Sequence, residues 1–415
     1  MKNRRAVWSW ALLDWGNSAF SLTVMTAFFP LFFAEYWCDA PGMTPERGTQ
    51  FLAWANSIHA LVIAILAPIL GAVADRGSRK KKFLFGFTAL GVLGTALLPL
   101  VPRGGYILAP VIYSIAALGF SGNSTFYDTL LTDVADRDSY DRVSAFGFAL
   151  GYLGSEVLFI LNSVMCLKPA AFGLSSATAA IKAGFVLTAA WWLIFTIPAL
   201  LWVEERGAAV PAAGEGSAIG QGLRQFAATF RELSRYKAAV LFLAAYVLYI
   251  DGVNTVITMS VDFGKKIGID NTGMVVALHL TQLVAFPAAI IYGRVGERIG
   301  ARRAINAGLV IYTGICFWAY FMRTRNEFIM MAILIGLVQG GVQSLSRSYF
   351  ARLIPAEKSG EFFGFYNMMG KFAAVLGPLL MGLAVPWVGT RGSILSLLVL
   401  FAGGAAVLWF VPEDS

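Results

Sequence analysis

Charge is scarce in this chain of 415 residues. Asp, Glu, Lys and Arg make up 13% of it against 58% hydrophobic residues, and the mean hydropathy is +0.68. So apolar a composition excludes a soluble domain of any size and indicates a polytopic membrane protein. Histidine, with two residues, and cysteine, with three, are almost as rare. Neither H-E-x-x-H nor G-x-S-x-G occurs, so zinc and serine chemistry have no support and no metal or other cofactor is expected. Cys38, Cys166 and Cys316 lack C-x-x-C spacing, and an odd number completes no disulfide framework; Cys38 and Cys166 fall near one face and are the pair able to bridge. The nearest approach to a phosphate loop runs from Gly364 to Gly370-Lys371, with five intervening residues instead of four and Phe372 where Ser or Thr would bind magnesium. ATP hydrolysis is therefore not expected, and the chain reads as a non-enzyme.

What is present is a regular series of long apolar runs. A bilayer core of about 30 Å needs roughly 20 helical residues. Runs that satisfy this lie near 7–34, 52–74, 83–101, 107–131, 143–166, 180–203, 238–262, 272–293, 303–321, 328–350, 362–386 and 393–411. The first follows MKNRR, contains Asp14 and has no small-residue cleavage site, so it reads as a spanning helix and not a removable leader.

The formal charge of +8 raises the question of nucleic acid, but its distribution answers otherwise. Of the 32 Lys and Arg, 21 fall in segments on the N-terminal side of the membrane, nine in the opposite loops and two within spans. By the positive-inside rule both termini are expected in the cytoplasm, across the cytoplasmic (inner) membrane. The expected partners are the bilayer and a small-molecule substrate, with no nucleic acid and a monomeric state.

The chain divides into two halves, 1–203 and 237–415, joined by a cytoplasmic connection, 204–236. Its start, GAAVPAAGEGSA, is a flexible linker by composition. From Ile219 the apolar residues Leu223, Phe226, Phe230 and Leu233 follow a helical period among Arg224, Arg231 and Arg235. That pattern fits an amphipathic helix lying on the membrane surface or packed on the protein.

The halves repeat one another. Asp14-Trp-Gly-Asn17 returns as Asp251-Gly-Val-Asn254, Phe146-Gly147-Phe148 as Phe363-Gly364-Phe365, and Gly119 as Gly336. Most telling are two basic hairpins. GAVADRGSRKKK begins at Gly71 and GRVGERIGARR at Gly293, each with a Gly four residues before an acid that is followed by Arg. Gly71, Asp75, Arg76 and Arg79, and Gly293, Glu297 and Arg298, are expected to form a cytoplasmic gate. There glycine permits close helix contact and the acid meets a helix N-terminus or an Arg when the inner side is closed.

Ionisable groups inside a bilayer cost roughly 2.5 to 3.5 kcal/mol each on insertion scales, so those present need a reason. Asp14, Glu156, Asp251, Arg347 and Lys371 are such groups. Asp14, Asn17, Ser18 and Ser21 share a face of the first helix, and Asp251, Asn254, Thr255 and Thr258 share one of the seventh. Gln339, Gln343 and Arg347 stripe the tenth, and Asn123, Tyr127 and Asp128 the fourth. Each is either a ligand of substrate or a hydrogen-bonding contact between packed helices. Arg347 and Asp128, near helix ends, are gate residues or snorkel to the interface. Lys371 lies about 15 Å along its helix from the cytoplasmic side, too deep to snorkel, and is expected to face a cavity. His59 and His279, in repeat-related helices, read as packing residues or a proton relay.

The doubled hairpin resembles the signature between helices 2 and 3, and 8 and 9, of the major facilitator superfamily. The phrases ALLDWGNSAF, FYDTLL, RVSAFGFALGYLG, YIDGVN, GLVQGGVQSLSRSYFARLIP and EFFGFYNMMGKFAAVLGPLL resemble, across nearly the whole chain, its branch of vacuolar amino-acid effluxers and their bacterial relatives. The resemblance implies an all-α membrane fold of about twelve helices in two six-helix pseudo-symmetric bundles, with helices 1, 4, 7 and 10 around a central cavity. It implies a secondary transporter of amino acids or similar polar metabolites working by alternating access. Asp14, Asn17, Tyr127, Glu156, Asp251, Asn254, Gln339, Gln343, Arg347 and Lys371 are the candidate substrate-binding or coupling residues, with proton coupling at one of the carboxylates. The competing expectation is a membrane sensor or assembly protein that keeps the fold and docks a partner through 207–236.

Overall fold

The computed structural model describes residues 4–75, 79–205, 231–266, 268–373 and 376–412. Eleven helical stretches among them are long and apolar enough to cross a membrane. A twelfth helix, Leu108–Thr129, has the length but carries Ser121, Asn123, Ser124 and Asp128 along its second half. In chain order the spans are α1 (Arg4–Trp37), α2 (Pro45–Asp75), α3 (Lys80–Leu97), α4 (Leu108–Thr129), α5 (Tyr140–Leu167) and α6 (Ala177–Trp202). The second half contains α7 (Lys237–Lys266), α8 (Asn271–Ile299), α9 (Ala301–Phe321), α10 (Arg325–Leu353), α11 and α12 (Leu398–Trp409). Helix α11 is in two pieces, Ser359–Phe372 and Leu376–Ser393, the second kinked at Gly389.

Helix α1 is not uniform. Past its polar stretch it becomes π-helical over Phe20–Phe28 and again over Phe33–Trp37. Such segments are rare and concentrate at functional sites. The turn composition of the chain carries no signal for them.

The first and last described residues lie at one face. The Arg5 guanidinium sits 4.0 Å over the ring of Trp202 at the end of α6, and Arg302 Nη1 donates to the carbonyls of Trp409 and Val411. At this face the halves meet through two repeat-related contacts, α2 with α11 and α8 with α5. A Cβ on Gly71 would lie 2.1 Å from the Gly360 carbonyl oxygen, and one on Gly293 2.6 Å from Ala145 Cβ. The hairpin glycines are therefore points of backbone approach between the halves, as the repeat implies.

The acids of the hairpins are less uniform. Glu297 of α8 pairs with Arg142 of α5 at 3.6 Å, joining the halves. Arg298 and Arg79 are exposed. Arg76 and the amphipathic stretch through Phe230 lie outside the described residues, as does the side chain of Asp75. Leu233, at the end of that stretch, is buried. Cys38, Cys166 and Cys316 are free thiols, so no bridge joins Cys38 to Cys166.

Candidate functional site

A cavity of about 440 Å³ lies between the halves. Its wall includes Asp14, Asn17, Tyr127, Asn254, Gln339, Gln343, Arg347 and Lys371, eight of the ten residues marked from the sequence. They come from α1, α4, α7, α10 and α11, because each lies on the polar stripe that its helix turns away from lipid.

The floor of the cavity is toward the face that holds the termini. There Arg347 of α10 is buried, with Nη1 3.0 Å from Asp128 Oδ1 of α4. Its Nε donates to Ser144 Oγ at 2.9 Å and its Nη2 to the Ser144 carbonyl at 2.8 Å. The guanidinium also lies 4.5 to 4.9 Å from the ring centroids of Trp10, Tyr127 and Phe148. All of these partners belong to the first half, so one arginine of the second half is inserted into an aromatic and carbonyl box of the first. Asn367 of α11 completes the seal by donating to Asp128 Oδ2 at 3.0 Å.

Below the floor, Asp141 of α5 holds Arg352 at 2.9 Å and accepts from Ser348, and Lys80 reaches Asp133 and Ser359, each at 3.0 Å. Removing one member of a buried pair such as Arg347–Asp128 costs about 3–5 kcal/mol, whereas a half-exposed pair such as Arg142–Glu297 is worth about 0–1 kcal/mol. Of these two contacts between the halves, Arg347–Asp128 is therefore much the stronger. The cavity extends the other way, past Ser21 to the exposed Thr26, twelve residues beyond Asp14 on α1.

Within the cavity the two halves offer opposite charges. Asp14 accepts from Ser18 Oγ at 2.8 Å and, weakly, from Tyr127 O–H at 3.4 Å. Asn17 donates to Ser124 Oγ at 3.2 Å while its own buried Oδ1 accepts no hydrogen bond among the described residues. From the second half, Lys371 of α11 lines the same space with no hydrogen-bond or ion-pair partner among the described residues. Tyr152 O–H donates to Gln343 Oε1 and accepts from Gln339 Nε2, both at 3.2 Å, so the tenth-helix glutamines are tied across to α5.

Two of the ten residues lie elsewhere. Asp251 is fully buried and absent from the lining: Oδ2 accepts the Gly377 N–H at 2.9 Å and Oδ1 the Thr255 hydroxyl at 3.3 Å. It caps the second piece of α11, whose first N–H groups have no partner within their own helix. Glu156 lies behind the wall, its Oε1 2.6 Å from His279 Nδ1 of α8. His59, by contrast, is bonded to the Ala55 carbonyl of its own helix and sits edge-on to Tyr113, a packing residue.

Reading the sequence did not single out Trp10, Ser144, Tyr152, Gln282 or Asn367. Two of them carried a signal: Trp10 is four residues before Asp14 and Asn367 four before Lys371, on the same helix faces. The aromatic box itself is tertiary and has no local signature.

Residues 42–415 match the family described as "Vacuole effluxer Atg22 like". The chain is 41% identical over 409 residues to the MFS-type transporter YxiO of Bacillus subtilis, covering 98% of this chain and 95% of that one. It is 25% identical over 414 residues to autophagy-related protein 22 of Coccidioides immitis, covering 80% of this chain and 67% of the relative. The fold is that of FucP, a major facilitator transporter solved in the outward conformation, with a TM-score of 0.71 at 14% identity over 99% of this chain and all of that one. The architecture is thus the major facilitator fold, two six-helix bundles related by pseudo-symmetry.

Proposed function

The chain belongs to the Atg22-like vacuole effluxer family of major facilitator transporters, and from that premise we propose that it moves a small zwitterionic metabolite of the amino-acid type by alternating access. One observation carries this reading: a cavity between the halves has Asp14 on one wall and the partnerless cation Lys371 on the other. A half-buried cation at membrane depth, with no counter-charge among the described residues, favours a ligand that brings a carboxylate to Lys371. The Asp14 carboxylate suits the ammonium of the same ligand.

The proposed cycle turns on the floor. With Arg347 in its box the cavity is open away from the termini, which the positive-inside distribution assigns to the outside of the cytoplasmic membrane. Rocking the halves withdraws Arg347 from Trp10, Tyr127, Phe148 and Asp128 and opens the other side. The glycine contacts at Gly71 and Gly293 separate with it. The boundaries near 203 and 237 mark the two moving bodies in this account, and a single chain suffices for it.

The reading is tested by uptake of radiolabelled L-amino acids into proteoliposomes. Wild-type protein is expected to give flux that Lys371→Met reduces by about tenfold or more, the scale of one charge-assisted hydrogen bond of about 1.5–3 kcal/mol. Equal flux in the two proteins would refute the site. Retention of flux after deletion of 207–230 separates the transporter from a docking protein, which would depend on that segment.

A further inference from the structure

The cycle above leaves one intramembrane pair unused, Glu156 of α5 and His279 of α8. Glu156 is 1% exposed, its Oε1 lies 2.6 Å from His279 Nδ1, and its Oε2 has no hydrogen-bond partner among the described residues. The imidazole stacks on Phe159 at 4.8 Å and keeps 22% of its side chain accessible. Leu278 and Gln282, its neighbours on α8, line the cavity, and Gln282 bonds to Ser155 beside Glu156. The pair therefore joins the halves directly behind the cavity wall.

We propose that Glu156 and His279 form a proton-binding site whose occupancy sets which way the cavity opens. This rests on the transport reading and adds the coupling site. Oxygen and nitrogen lone pairs do not approach to 2.6 Å without a hydrogen between them, so the line joining them carries a proton. With one further dissociable proton the pair is neutral, as imidazolium with carboxylate or as imidazole with carboxylic acid. Without it the site is a net anion whose free oxygen faces no donor, a costly state in a dry wall. Cavity water supplies that proton to the pair as an N–H or O–H bond and takes it back when the halves part, so no other reactant is needed. Loss of the proton favours separation of α5 from α8, because separation lets water reach the bare carboxylate.

Other charges near this site are accounted for. On α1, Asp14 packs against Gly151, one to two turns from Glu156, and is bonded to Ser18. On α10, Arg347 is held by Asp128 and Ser144. On α6, Lys182 bonds Tyr36 at the far end. On α5 itself Tyr152 is tied to Gln339 and Gln343, and Asp141 to Arg352. On α8, Tyr292 lies against Gly341 and Gly308 of the second half, and Glu297 meets Arg142. Only His279 among the described residues bonds to Glu156.

The test needs no substrate. Spin labels at the exposed turn residues Asp138 and Glu357, in a background lacking the three cysteines, report the distance between the halves at the terminus face. In wild-type protein, raising pH from about 5 to about 8 is expected to shift the distance distribution from one dominant population to another. Glu156→Gln and His279→Gln are each expected to abolish that shift, and His59→Gln, at the packing histidine, to keep it. A wild-type distribution indifferent to pH overturns the proposal. So does a Glu156→Gln protein that responds as wild type does. Flux in proteoliposomes is read separately, so absence of coupling at this pair is distinguishable from absence of transport.

Discussion

Asp14 and Asp251 open the same phrase in the two halves, an acid followed at three and four residues by Asn and a hydroxyl, yet they do different work. Their local chemistry matches: Ser18 donates to one, Thr255 to the other, and each carboxylate packs on a glycine, Gly151 for Asp14 and Gly377 for Asp251. The difference lies in the helix that carries the glycine. Helix α5 runs unbroken from Tyr140 to Leu167, so the Gly151 N–H is used within it. Helix α11 restarts at Leu376, and the Gly377 N–H is free to be taken by Asp251. A break in one helix consumes the acid of another, while the unbroken copy leaves Asp14 facing the cavity. Duplication preserves the pattern, and backbone continuity decides which copy is available to a ligand.

The sharpest way to break this comparison is to neutralise each acid. Asp14→Asn is expected to lower flux by about 30- to 100-fold with little change in thermal midpoint, since its charge meets ligand more than protein. Asp251→Asn is expected to do the reverse. Loss of a buried charge-assisted bond of about 1.5–3 kcal/mol lowers the midpoint by several degrees, while the protein that remains folded binds substrate nearly as wild type does. Thermal unfolding and flux measured on the same preparations decide it, and matching behaviour of the two variants would end the distinction.

A smaller effect is expected at the glycines. A Cβ on Gly377 would lie 2.0 Å from Thr255 Oγ1, so Gly377→Ala overpacks the cap and costs about 1–3 kcal/mol, read as a lowered midpoint. Gly151→Ala instead meets Ser18 Oγ and the Asp14 carboxylate at 2.8 to 2.9 Å, and is expected to show mainly as weakened binding. The smallest change is expected from Glu297→Gln. Its half-exposed pair with Arg142 contributes about 0–1 kcal/mol, so flux stays within about twofold, whereas Arg347→Gln should abolish closure of the terminus face.

The spans, the repeat and most of the cavity wall were legible because lipid penalises polar side chains, and the sequence records that penalty locally. Asp14, Gln343 and Lys371 stand out in apolar runs and do line one space. Asp251 stood out for the same reason but is spent on a helix end, because the interruption of α11 near Phe372, which Gly377-Pro378 marks, falls within an apolar run long enough to read as one unbroken span. The arginine box escaped notice because Trp10, Phe148 and Ser144 are ordinary membrane-helix residues until the halves bring them around Arg347. His279 read as either a packing residue or part of a relay, because only its partner on α5 gives it a charge to meet.

The central claim is that Asp14 and Lys371 grip opposite ends of one ligand. It is tested most directly by ligand-induced thermal stabilisation of wild type, Asp14→Asn and Lys371→Met, using L-amino acids beside their decarboxylated amines and deaminated acids. The account predicts that wild type is stabilised fully only by the zwitterions, that Lys371→Met no longer distinguishes an amino acid from its amine, and that Asp14→Asn no longer distinguishes it from its acid. Stabilisation by amino acids that both variants retain unchanged would contradict it.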